Sequence, residues 1–167
     1  MQEIFINSND QTKIHLMYVP GRIRSSYLIM VLPGMMNTAE NMYQSLEIKG
    51  YPTVFCSFRG RGKSGDSNSD YQYFRYIEDI EAIINYFQKE VILIGHSVGG
   101  LFALKIASNR HPQVKGIIVI DPVLEYFHYT DKWAAKVSLI LPDRKDEIRK
   151  IQLDSGKLNI QDEIKKN

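Results

Sequence analysis

The sequence predicts an α/β protein: a mostly parallel sheet of about six strands, with helices on both faces, an antiparallel hairpin at the start and a partial helical cap at the C-terminus. Three observations carry this expectation. Continuous apolar runs of strand length alternate with helical stretches, the pattern of strands covered on both faces and joined by crossover helices. The run Val91-Ile92-Leu93-Ile94 ends at Gly95-His96-Ser97-Val98-Gly99-Gly100 and passes at once into a helical stretch over 101–107. Asn9-Asp10 separates two short runs in the manner of a hairpin turn.

Each element follows from local pattern. Residues 3–8 and 12–19 read as the hairpin strands, the second ended by Pro20-Gly21. Tyr27-Leu28-Ile29-Met30-Val31-Leu32 is a fully apolar strand that stops at Pro33-Gly34-Met35-Met36-Asn37. Thr38 can cap a helix to about Lys49, with Glu40, Glu47 and Lys49 outward, Met42, Leu46 and Ile48 inward, and Gly50 as its C-cap. Residues 52–58 form another buried strand, followed by a glycine-rich loop from Arg59 to Ser67. Over 73–89, Ile77, Ile80, Ile83, Ile84 and Phe87 fall on one helical stripe. Residues 115–120 form the sixth strand. After Asp121-Pro122 the character changes. Residues 126–138, 143–153 and 157–166 read as three short helices, and Leu139-Ile140-Leu141 is too short for a strand before Pro142. The division is a core over 1–125 and a partial helical cap, or simply C-terminal helices, over 126–167.

Composition bounds the function. At 167 residues, 44% hydrophobic and 24% charged, the chain holds one domain with a real core. A net charge of +2 implies no attraction to nucleic acid or anionic membranes. The single Cys56 allows no internal disulfide and fits a reducing, cytoplasmic compartment. The N-terminus lacks the features of a signal peptide, and no apolar run approaches the roughly 18 residues a membrane span needs. The cysteine and the four histidines show no ligand spacing, so neither a metal nor a cofactor is expected.

The chemistry concentrates at the strand–turn–helix around Ser97. Gly95 and Gly99 are small where strand and helix pass close, and the serine stands at a helix N-terminus. Orphan N–H groups and the helix dipole there favour a developing oxyanion. Gly60-Arg61-Gly62-Lys63-Ser64 contains a Gly-Lys-Ser, but the first glycine of a phosphate loop would fall at Ser57, and no helix follows directly.

In these motifs the chain resembles the α/β-hydrolase fold, and looks most like its lysophospholipase, monoacylglycerol-lipase and proline-iminopeptidase-like branch. Leu32-Pro33-Gly34-Met35 is similar to that family's oxyanion loop, with Pro33 in place of the usual His. Phe58-Arg59-Gly60-Arg61-Gly62-Lys63-Ser64 is similar to its Asp-x-Arg-Gly-x-Gly-x-Ser loop, with Ser57 where the Asp stands. Gly95-His96-Ser97-Val98-Gly99-Gly100 is similar to its nucleophile elbow, and Ile120-Asp121-Pro122 to the segment that ends the sixth strand. The resemblance implies that Ser97 attacks a carbonyl, that Met35 and Val98 N–H groups hold the oxyanion, and that Gly34, Gly95, Gly99 and Arg59 support the site. Arg59 is expected to hydrogen-bond loop carbonyls.

The family's base is a histidine after the eighth strand, oriented by an acid after the seventh or sixth. Here His15 falls in the hairpin, at the surface or an edge. The His96 side chain should point away from the elbow, and His111-Pro112 stops a helix at the opposite edge of the sheet. His128 is the candidate base and Asp121 the candidate acid, with Glu125 of equal standing; seven residues separate the pair, an awkward arrangement. The simplest expectation is a chain that ends inside the cap, leaving residues 115–120 as an apolar edge strand that pairs in a homodimer, aggregates or is covered by the C-terminal helices. Met35, Met36, Met42, Tyr126, Phe127 and Trp133 either form an apolar mouth for an acyl chain or pack as ordinary core. Two functions stay open: a serine hydrolase acting on a small carboxylic ester, and a non-catalytic module of the same fold.

Overall fold

The computed structural model describes residues 1–66, 71–124, 131–145, 148–149 and 160. Its strands are β1 (Gln2–Asn7), β2 (Lys13–Val19), β3 (Tyr27–Leu32), β4 (Thr53–Cys56), β5 (Glu90–His96) and β6 (Val114–Ile120). They form one six-stranded sheet in the order β1-β2-β4-β3-β5-β6. The hairpin β1–β2 and the β2–β4 pair are antiparallel, and β4, β3, β5 and β6 run parallel. This is the mixed α/β sheet that the apolar runs and the Asn9-Asp10 turn predict.

Helices cover both faces unequally. On one face α2 (Tyr73–Phe87) and α3 (Val98–Ser108) close the main core. There Ile77, Ile80, Ile83 and Ile84 of α2 meet Leu28, Met30, Leu32, Val91 and Leu93 of the central strands. On the other face α1 (Ala39–Ser45) lays Ala39 and Met42 over Met17, Val31 and Phe55. Beyond Asp121 the described residues include α4 (Asp131–Ile140), a 3-10 turn at Pro142–Arg144, and helical positions at Lys145, Ile148, Arg149 and Ile160.

Two boundaries differ from the sequence expectation. Helix α1 starts at the Thr38 cap, whose hydroxyl accepts the Asn41 N–H, but it stops at Ser45 instead of running to Lys49. Leu46 and Ile48 are spaced two apart; only an extended chain turns both to one side, and both pack on the Met17–Phe55 face. Strand β4 ends at Cys56, two residues early; the Ser57 N–H still donates to His15 O at 3.0 Å, and from Phe58, whose carbonyl accepts the Arg61 N–H, the chain turns into the next loop.

That loop is fastened by Arg59. Its Nε and Nη2 donate to the buried Asp79 of α2 at 2.8 and 2.7 Å, and Nη1 donates to Asp10 of the hairpin turn at 2.9 Å. Burial opposes the charge on Asp10, but the Arg59 guanidinium and Thr12 more than offset it and hold the carboxyl at about 2. The same carboxylates raise Arg59 against its own burial. Among the described residues Arg59 thus binds two carboxylates, while Arg61, two positions on, reaches main-chain carbonyls.

At Gly95 and Gly99 three backbones converge. A Cβ on Gly95 would lie 2.6 Å from Gly100 Cα, and one on Gly99 would lie 2.5 Å from the carbonyl oxygens of Leu32 and Pro33. Gly99→Ala is expected to cost about 3 kcal/mol of stability, read by urea denaturation, because backbone must move to admit the methyl group. A pH prediction follows from Asp10. Its folded value lies below the ordinary 3.8, so its contribution is complete above about pH 4 and is lost as pH falls through about 2. Between pH 4.5 and 1.5 the wild type should lose about 2 kcal/mol more unfolding free energy than Asp10→Asn.

Candidate active site

The carboxyl ends of β3, β5 and β6 meet at one edge of the sheet. The register Leu32↔Gly95 sets Pro33-Gly34 beside His96-Ser97, and His96↔Ile120 sets Asp121 beside Ser97. Strand order also turns back here, since β4 and β5 flank β3 on opposite sides. Ligands of open α/β sheets gather at such a point.

Ser97 joins β5 to α3 at φ 53° and ψ −119°. A non-glycine residue holds such a conformation at a cost of about 1–3 kcal/mol, and only where its surroundings over-determine it. Here the Ser97 N–H donates to Ile120 O at 3.0 Å, and the Ser97 carbonyl accepts from Gly100 at 3.0 Å and from Leu101 and Val123 at 3.3 Å. The side chain is half-buried, and Oγ makes no hydrogen bond among the described residues. Val98 opens α3, so its N–H has no intrahelical acceptor. The Met35 N–H likewise has no acceptor among the described residues. A hydroxyl, two unused amides and a helix N-terminus thus lie along one edge.

Gly34 lies against this turn. A Cβ there would be 3.5 Å from Ser97 Cβ and 3.0 Å from His96 Nδ1, so the imidazole of His96 packs beneath the loop. Asp121 follows β6 at φ 46° with its side chain exposed and, among the described residues, unpaired. His128, Glu125, Tyr126 and Phe127 lie outside the described residues. His111 sits between α3 and β6, at the far edge, where its Nδ1 accepts the Gln113 N–H at 3.3 Å. Among the described residues no histidine hydrogen-bonds Ser97 Oγ. Met35 is buried and Met36 half-buried, but Met42 lies in the core beneath α1 and lines no mouth. Cys56 is buried, and burial pushes its thiol up, away from nucleophilic use.

His15 corrects the sequence reading. It is fully buried at 0% exposure, because β2 lies inside the sheet between β1 and β4. Its Nδ1 meets Ser57 Oγ at 3.3 Å and its Nε2 meets Glu3 at 3.0 Å. A Ser–His–Glu chain therefore exists, but around the wrong serine for hydrolysis: Ser57 is buried and its Oγ accepts the Ala39 N–H at 2.9 Å. Its work is to hold the first turn of α1. The signal in the sequence was Ser57 itself, standing where the loop motif has an acid.

Folding also gathers Glu3, His15 and Glu40 within 4.8 Å, a grouping that sequence spacing did not announce. Lys63 supplies the cation there. It bonds Glu3 and lies 3.9 Å from Glu40. The Lys63 hydrogen bond holds the Glu3 carboxyl below its ordinary value and raises Lys63 in turn. Two open grooves among the described residues, lined by Val19, Arg22, Glu47, Ile48 and Lys49, lie by the loop leading into β4, away from Ser97. Arg61 is the second residue that sequence reasoning passed over. It is 1% exposed, with Nε donating to Met35 O at 2.8 Å and Nη1 to Arg59 O at 2.8 Å.

Comparison with known proteins agrees with this architecture. The family described as serine aminopeptidase, S33, matches residues 25–161. The phospholipase YtpA of Bacillus subtilis (strain 168) is 34% identical over 80 residues, which cover 45% of this chain and 31% of that protein. The esterase EaEST of Exiguobacterium antarcticum superposes with a TM-score of 0.68 at 24% identity, covering 90% of this chain and 58% of the esterase. An α/β hydrolase of Sphaerobacter thermophilus gives 0.66 at 20% identity, covering 89% of this chain and 58% of that one. The chain thus spans between about a third and three-fifths of the length of these relatives. No helix among the described residues is long and apolar enough to cross a membrane. With its strand–serine–helix turn, its switch-point edge and a family match over most of its length, the chain belongs to the serine aminopeptidase S33 family of α/β-hydrolases.

Proposed function

We propose that this chain carries the nucleophile and oxyanion hole of a serine hydrolase acting on a small carboxylic ester. The observation that carries the reading is Ser97: a strained, half-buried serine whose hydroxyl has no partner among the described residues, flanked by the amides of Met35 and Val98, which have none there either. In this reading Ser97 Oγ attacks the ester carbonyl and gives up its proton to a base. The C–O bond to the alkoxy group then breaks, and the alcohol leaves with that proton. Water cleaves the acyl-enzyme by the same route. The two amides donate to the oxyanion as charge develops, and removal of one such donor costs about 10²–10³ in rate. His128, with Asp121 as its acid, is the base this chain can offer. In this reading residues 126–167 are taken as a partial helical cap or as C-terminal helices. A phospholipase and an esterase among the relatives favour an acyl ester as the substrate class.

A second reading is favoured by one specific observation: among the described residues no imidazole reaches Ser97. It makes the chain a binding module of the same fold. Treatment of the intact chain with a fluorophosphonate separates the two. The hydrolase reading expects a covalent adduct on Ser97 by mass spectrometry, none on Ser97→Ala, and loss of p-nitrophenyl ester hydrolysis by at least about a thousandfold in that variant. Folded wild-type chain that stays unlabelled establishes the binding module instead.

A further inference from the structure

Arg61 is a buried cation aimed at a backbone carbonyl of the loop after β3. Its Nε donates to Met35 O at 2.8 Å, while Nη1 donates to Arg59 O at 2.8 Å and lies 3.4 Å from Tyr76 Oη. The guanidinium stands over the rings of Tyr71 and Tyr76, at 5.5 and 5.9 Å from their centroids. It therefore has little freedom to swing away. The residue two positions earlier serves a different end: Arg59 ties its own loop, the one after β4, to α2 and the hairpin turn through Asp79 and Asp10.

The loop that Arg61 grips is the one that bears the Met35 amide. The Asn37 N–H donates to Gly34 O at 3.0 Å and closes a four-residue turn. Gly34 C=O and Met35 N–H belong to one trans peptide, so they point in opposite directions. The turn bond thus sets the direction of the Met35 N–H. The next peptide plane, which carries Met35 C=O, is set by Arg61. Two successive planes are pinned from two sides, and the φ and ψ of Met35 lie between them. Gly34 borders Ser97 closely, as its absent Cβ would stand 3.5 Å from Ser97 Cβ. Any rotation at Met35 is therefore felt beside the serine.

We propose that Arg61 is a positioning residue for the oxyanion hole: by holding the Met35 carbonyl it keeps the Met35 N–H aimed at the oxyanion, without touching substrate. The proposal rests on the reading of Ser97 as a nucleophile. Only a guanidinium offers a fork that can bind two carbonyls at once while stacked on tyrosine; an ammonium reaches one. Arg61→Lys keeps the charge and loses the fork. Arg61→Gln keeps one donor group and loses the charge. Arg59, with its two carboxylates, stays in place in both variants.

The test uses the full chain and three readouts. Amide hydrogen exchange should accelerate at least about tenfold at Asn37, whose N–H closes the turn on Gly34 O, in Arg61→Lys, with β5 and α3 unchanged. Phosphonylation of Ser97 by a fluorophosphonate should slow by about ten- to a hundredfold. With a p-nitrophenyl ester, kcat should fall while KM moves less than about twofold, the mark of an interaction made in the transition state. Arg61→Gln should follow the same pattern, so one folded variant is enough. Wild-type labelling and exchange in either folded variant overturn the proposal. So does exchange that rises equally throughout the molecule, which makes Arg61 merely structural. If wild-type Ser97 itself takes no label, the nucleophile reading fails and the catalytic role of Arg61 falls with it. Failure of Arg61 alone is recognised by a wild type that labels normally.

Discussion

The backbone of α3 touches the backbone of the loop after β3, and this contact is the constraint on which the rest of the site depends. At Gly99 the helix meets the carbonyls of Leu32 and Pro33, and at Gly95 the strand meets Gly100. No side chain fits at either place, so β5, the turn and α3 are locked into one geometry. Ser97 is held at positive φ by that lock and by its hydrogen bonds to Ile120, Gly100, Leu101 and Val123. The strain is local, and it sits where the hydroxyl must leave the ladder and face the sheet edge.

Two buried arginines carry the lock outward. Arg59 and Arg61 stand two apart in one loop and serve opposite directions. Arg59 reaches carboxylates on α2 and the hairpin turn, where a buried charge is compensated by Asp79 and Asp10. Arg61 reaches main-chain carbonyls, including that of Met35. On the other face, His15 and Ser57 hold the first turn of α1, which begins directly after the loop that bears Met35. The loop from Pro33 to Thr38 is thus gripped at its start by Gly99, in its middle by Arg61 and at its end by Ser57. Preorganisation of this kind lets backbone amides act on a charge that develops only during reaction.

The sheet is covered unequally, and this shapes what surrounds the site. Among the described residues two helices close one face, while α1 covers β2 and β4 on the other. Among the described residues β6 is the last strand, with Ile118 and Ile120 at 52% and 45% exposure. The C-terminal segment nevertheless returns to the core. Arg144 donates to Gly60 O at 2.6 Å, the Ile160 N–H bonds Leu124 O, and Ile160 is buried within the main cluster.

Much of this was legible along the chain. Alternating apolar runs dictated the parallel sheet, the stripe Ile77–Ile84 dictated α2, and Gly95 to Gly100 dictated the turn at Ser97, because each rests on contacts within a few residues. Helix α1 came out short because Leu46 and Ile48 answer to a distant sheet face and not to their own periodicity. His15 read as an edge residue because nothing local says that β4 will add beside β2. Arg59 and Arg61 looked alike in sequence and differ only in what folding sets opposite them: Asp79 and Asp10 for one, Met35 O for the other. Sequence alone determined the fold class, the nucleophile candidate and the family, since short-range pattern encodes strands, helices and tight turns. Tertiary structure decided which charges are buried, which histidine meets which serine, and what holds the Met35 loop, because those partners lie 20 to 49 residues apart and meet only when the sheet closes.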